Sequence, residues 1–180
     1  MRSTERLVHE HRVIEKVLDT LAQRLEDTHS TGTLHVSFLR KLVAFSTTFV
    51  DKCHHSKEEA CLFPCLEGRG IPREGGPIGV MLMEHEIGRV LVRRISEELD
   101  SYEKGDASVD DVVGPCQEYL QHLRQHISKE NGVLFPLGAS MMSEQDDAAT
   151  LGCYENREAE VGPGAHEELV RLAEEMAAEK

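Results

Sequence analysis

Apolar residues recur at helical spacing almost from the first residue. Leu7, Val8, Ile14, Leu18, Leu21 and Leu25, with His11 on the same stripe, predict a helix over about residues 5–25 that Ser3 or Thr4 can cap. A turn at 29–33 contains Gly32. A second stripe through Phe38, Leu42, Phe45, Phe49, Leu62 and Phe63 predicts a long helix over about 34–66, with Pro64 in its last turn. A loop rich in glycine and proline fills 68–77. A third helix is expected over about 78–103, broken by Gly105 and Asp106, and a fourth over about 109–137 with Pro115 in its early turns. One further helical stretch, about 165–178, follows Gly162-Pro163-Gly164. No strand-like alternation stands out. The expected fold is all-α: an antiparallel up-down-up-down four-helix bundle over 1–140, then an acidic tail, 141–180, whose one helix packs on the bundle or stays mobile.

Composition narrows the function. The chain has 180 residues and 39% hydrophobic residues, enough for one domain with a real core. No apolar run reaches the roughly 18 residues of a membrane span, and the first residues lack the apolar core of a signal peptide, so a cytoplasmic protein is expected. Twenty basic against 33 acidic residues, a net charge of −13, argue against nucleic acid as a partner. Five cysteines without a secretory signal read as free thiols. Ten histidines are many for this length, and their placement calls for a reason.

That reason is an internal repeat. His54-His55-Ser56-Lys57-Glu58-Glu59-Ala60-Cys61-Leu62-Phe63-Pro64 returns as His126-Ile127-Ser128-Lys129-Glu130-Asn131-Gly132-Val133-Leu134-Phe135-Pro136, 72 positions later. Residues four apart share a helix face, so each copy aims an imidazole and a carboxylate at one point. Glu10-His11 and Glu84-His85 also pair, 74 positions apart. Two helical hairpins thus focus His11, His54, Glu58, His85, His126 and Glu130 on one centre. The repeat also chooses between overlapping pairs in the first copy. Position 55 is matched by Ile127 and position 59 by Asn131, so His55 and Glu59 are expected in an outer shell or at the surface.

Six such groups inside a bundle need cations, because an unpaired buried carboxylate costs several kcal/mol. Nitrogen and oxygen donors without thiolate suit a pair of irons, or manganese as a substitute. Zinc fits less well, since there is no CxxC pair and no HExxH word. Two bridging carboxylates would leave positions open for dioxygen, peroxide or nitric oxide.

With these motifs in order, the chain resembles the hemerythrin-like, HHE cation-binding proteins. The resemblance covers about residues 5–138, carried by Glu10-His11, HHxKEExxLFP, Glu84-His85 and HxxKExxxLFP. It implies a four-helix bundle holding a non-haem di-iron centre that binds dioxygen, senses oxygen or iron, responds to nitric oxide, or breaks down peroxide. Oxygen-carrying members have a second histidine where this chain has Arg89, and His-x4-Asp where it has Glu130 and Asn131. The pattern is closer to the bacterial, regulatory members.

Tyr119 and His122 lie on the face of His126 and are candidates to support the metal or its ligand. Cys61 and Cys65 read as packing, and Cys53 as partly exposed. The functional expectation is therefore a di-iron protein, monomer or homodimer, that turns over peroxide or senses a small molecule. The alternative is iron storage, delivery or metal sensing without catalysis. No catalytic side chain is expected beyond the metal centre.

Overall fold

The computed structural model describes residues 1–162 and 164–178; Pro163, Glu179 and Lys180 lie outside them. Among the described residues every regular element is helical. Helix α1 is Arg2–Thr31. Helix α2 runs over 36–68 without a break and contains two π-helical stretches, Ser46–His55 and Glu58–Leu62. Helix α3 is Pro77–Lys104. Helix α4 runs over 109–141, with one π-helical stretch, Glu130–Leu134. Helices α5, Glu144–Val161, and α6, Ala165–Ala178, complete the chain.

Local chemistry fixes the ends. Gly32 and Gly105 close α1 and α3 in the left-handed conformation, at φ 70° and 84°, where a side chain would be strained. Ser108 and Asp111 form a reciprocal capping box that starts α4, and Ser143 and Asp146 repeat it for α5. Ser3 does not cap α1 as expected. It lies within the helix, and its backbone N–H and hydroxyl both donate to Asp147 of α5, at 2.9 and 2.6 Å.

The two five-residue π-helical turns, Glu58–Leu62 and Glu130–Leu134, follow from proline. Pro64 and Pro136 have no N–H, and their rings would collide with the carbonyl four residues back in an α-helix. The chain widens instead: Phe63 N–H donates to the Glu58 carbonyl and Phe135 N–H to the Glu130 carbonyl, each five residues back. The repeated Leu-Phe-Pro words thus place one wide turn just after each inward glutamate.

Two cores flank the centre. One is built on Ile14, Leu18, Leu21, Phe38, Phe45, Phe49, Ile95, Leu99 and Tyr119. The other surrounds Leu7, Leu62, Phe63, Leu66, Ile78, Leu134, Phe135 and Tyr154. Gly138 sits where a Cβ would meet Leu66 at 2.9 Å, so equivalent positions of the two repeats approach each other here.

The tail departs from expectation. It holds two helices, not one, and both pack on the rest of the chain. Ala173 and Met176 of α6 belong to the first core and Tyr154 of α5 to the second. Cys61 of α2 and Cys153 of α5 form a disulfide, which corrects the reading of every cysteine as a free thiol and of Cys61 as packing alone. Cys53, expected to be partly exposed, is buried. Among the described residues no helix is long and apolar enough to cross a membrane.

Candidate metal centre

The six residues expected from the repeat converge between the two cores, all buried. They divide into two overlapping groups. His11, His54, Glu58 and Glu130 form one; His55, Glu58, His85 and His126 form the other. Glu58 belongs to both. Glu130 also faces both, with one oxygen 3.2 Å from His11 Nε2 and 3.3 Å from His126 Nε2.

His55 is the residue that the sequence reading misplaced. It is 4% exposed, and its ring stacks on His85 with centroids 3.8 Å apart. His54 and His55, the last two residues of a π-helical stretch, are both turned toward the buried centre. The register argument excluded His55 because its counterpart is Ile127. Ile127 is itself buried, so the repeat preserved the direction of the position while the chemistry differs.

Each imidazole of the repeat is oriented by its outer nitrogen. His54 Nδ1 lies 2.8 Å from Glu10, and Lys57 grips the other oxygen of Glu10. His126 Nδ1 lies 3.1 Å from Glu84, which Lys129 grips in the same way. His85 Nδ1 meets Glu59 at 2.7 Å, and His11 Nδ1 meets Asn131 at 2.8 Å. These partners are themselves related by the repeat: 10 with 84, 57 with 129, 59 with 131. The glutamates of the two Glu-His words and the lysines of HxxKE therefore hold the rings. Glu59, expected in an outer shell or at the surface, is one of these supports, and Arg89 anchors it at 2.7 Å.

The inner atoms have no such partners. Among the described residues, Nε2 of His11, His54, His85 and His126, both nitrogens of His55, and all four oxygens of Glu58 and Glu130 are buried without a hydrogen bond. A buried polar atom without a partner costs about 1–3 kcal/mol, so a cluster of this size calls for a resident cation. The spacing fits one. Nε2–carboxylate distances of 3.2 to 3.5 Å match the about 3 Å between neighbouring donors on bonds of about 2.1 Å.

Electrostatics agree. Burial pushes the imidazoles of His11, His85 and His126 toward neutrality, but Glu130 and Glu58 outweigh it, and His126 is raised to about 10. Protons thus stand where cations would. His55 is held well below the ordinary imidazole value, first by burial and then by repulsion from His85 and His126. A neutral imidazole is the form that ligates.

The flanking candidates fall outside the cluster. His122 donates from Nε2 to the Glu84 carbonyl at 2.8 Å, and the Tyr119 hydroxyl donates to Ser46 at 2.9 Å. Tyr119 nonetheless lines a cavity of about 320 Å³ that reaches His55 and His126 and is walled by Val43, Val50, Val92 and Leu123.

Known proteins share this pattern. The hemerythrin HHE cation binding domain matches residues 2–138. The chain is 30% identical over 131 residues to an iron-sulfur cluster repair protein YtfE of Edwardsiella ictaluri (strain 93-146), covering 71% of this chain and 58% of that protein. It is 33% identical over 87 residues to the YtfE protein of Salmonella schwarzengrund (strain CVM19633), covering 46% of this chain and 39% of that one. The chain therefore spans less than two thirds of the relatives it matches. No solved structure matches. With residues 2–138 matched and histidine and glutamate donors gathered at one buried centre, the chain belongs to the hemerythrin HHE cation-binding family.

Proposed function

We propose that the chain is a non-haem di-iron protein that acts in redox and nitrosative stress, receiving nitric oxide, dioxygen or peroxide at its metal pair. In this reading residues 1–140 are an antiparallel up-down-up-down bundle that carries the site, and 141–180 are an appendage packed on it. The observation that carries the reading is the set of buried inner atoms without partners on five histidines and two glutamates, arranged as two groups that share Glu58. Nitrogen and oxygen donors without thiolate favour iron over zinc. Iron bound there supplies one-electron chemistry and open positions for a small ligand.

The protein's own groups set the conditions. Glu10, Glu84, Glu59 and Asn131 fix the tautomer and direction of four imidazoles. The cavity offers a small molecule a largely apolar path to the His55 side. Arg89, bonded to Asp51 and Glu59, stands at its rim.

A second reading is favoured by the relatives. Proteins named for iron-sulfur cluster repair suggest that the bound iron is delivered to a damaged cluster rather than retained. Metal analysis with an absorption spectrum tests the first step: about two irons per chain are expected. A protein purified under iron-replete conditions that holds none refutes both readings. Nitric oxide or peroxide should then alter the spectrum of the loaded protein. Transfer of iron to a cluster-depleted acceptor, with no such spectral response, selects delivery.

A further inference from the structure

Helix α5 lies beyond the family match, yet it reaches the supports of the metal centre. Its Glu158 bonds Lys57 at 2.8 Å and Arg6 at 2.5 Å. Its Tyr154 is fully buried, with its ring 6.0 Å from the Lys57 ammonium. Lys57 grips Glu10, and Glu10 orients His54. An unbroken line of contacts thus runs from α5 to one half of the centre. The other half has no such cover: the Lys129 side chain is 46% exposed, against 0% for Lys57. One covalent bond pins α5 in place. Cys153 is joined to Cys61, which sits in the π-helical turn three residues after Glu58.

We propose that Cys61 and Cys153 are a redox-modification site, a thiol latch that locks α5 over the His11–His54 half of the centre when oxidised and releases it when reduced. Hydroperoxide is the class of oxidant that closes it. The more accessible thiol, Cys153, attacks the O–O bond, giving a sulfenic acid and water. The Cys61 thiol then displaces a second water and forms the disulfide, so two thiols are oxidised and one peroxide is reduced. A small dithiol opens the latch by exchange at Cys153. Glu158 is then a positioning residue: it acts on His54 through Lys57 and Glu10.

The proposal rests on the metal-centre reading only for its metal readout. The test uses the full chain, oxidised, reduced with a dithiol, and reoxidised with hydrogen peroxide. Peptide mapping should join Cys61 to Cys153 in the first and last states. Hydrogen exchange over residues 144–161 should quicken on reduction and recover on reoxidation. In iron-loaded protein, a chelator should remove one of the two irons about tenfold faster after reduction. Glu158→Gln should have the same effect on that iron with the disulfide closed, whereas Cys65→Ser should behave as the parent in every state. Free thiols at 61 and 153 that peroxide does not join, or exchange in α5 that ignores the thiol state, overturn the proposal. Iron release that stays uniform, or that Glu158→Gln leaves unchanged, overturns the link to His54. A chain that binds no iron refutes the function proposed above, while hydrogen exchange still decides the latch.

Discussion

Glu10→Gln and Glu84→Gln separate two effects that the repeat superimposes. Each carboxylate accepts from an imidazole Nδ1, at 2.8 and 3.1 Å, and from one lysine of its own repeat. Glutamine keeps one acceptor oxygen and places an NH2 donor where the other stood, so it cannot serve both the ring and the lysine; weakening such a support of a ligating histidine typically lowers metal affinity about 10–100-fold. That part should be similar for the two variants. The lysines make the difference. Lys57 is fully buried, and Glu10→Gln leaves its charge with Glu158 alone. Removing one member of a buried pair costs about 3–5 kcal/mol, and the remaining partner argues for the lower end, about 3 kcal/mol. Lys129 is half exposed and returns to water in Glu84→Gln, where the pair contributes only about 0–1 kcal/mol. At about 2–4 °C per kcal/mol for a chain of this size, metal-free Glu10→Gln should melt about 6–12 °C lower than the parent, and Glu84→Gln at most about 4 °C lower. Circular dichroism melts of the metal-free proteins, run beside chelator competition, measure both quantities. Equal losses of stability would refute the argument from burial. Unchanged affinity in both variants would refute the orienting role.

The remaining predictions concern protons and ligand count. In the metal-free protein His126 titrates near 10, above its ordinary 6.5, because Glu130 and Glu84 outweigh the downward push of burial. A raised value in the folded state stabilises below about pH 6.5 and is lost as pH climbs toward 10, so metal-free stability should fall across that window. Cations compete with the same protons, so metal affinity should rise over it, with proton release visible when calorimetry is repeated in buffers of different ionisation enthalpy; a flat profile would contradict the arrangement. His55→Ala should lower the metal content from about two ions toward one, because only one of the two groups contains His55; full occupancy by elemental analysis would return His55 to a packing role. His122→Ala should keep the full metal content, since its ring nitrogen is engaged by the Glu84 carbonyl.

The centre was legible in the chain because its chemistry is duplicated. Four buried histidines and two glutamates recur at matched offsets, and chance rarely produces six such coincidences. What escaped is whatever breaks the duplication. His55 has an isoleucine as its counterpart, so pattern matching discarded it, although both side chains point inward. Its burial beside His54 is a fact of the fold that a match between the two copies does not reveal. Helix α5 escaped for a different reason. It is acidic and weakly amphipathic, and only the capping box Ser143–Asp146 announces it. Its hold on the preceding helices comes instead from particular contacts, namely Asp147 on Ser3, Cys153 on Cys61 and Glu158 on Lys57, which a periodicity search does not weigh. These departures fall on opposite sides of the centre. A cavity reaches His55 and His126 on one side, and α5 contacts the Lys57–Glu10 support of His54 on the other. A nearly duplicated donor set therefore sits in unequal surroundings, so cations held by the two groups would meet different environments.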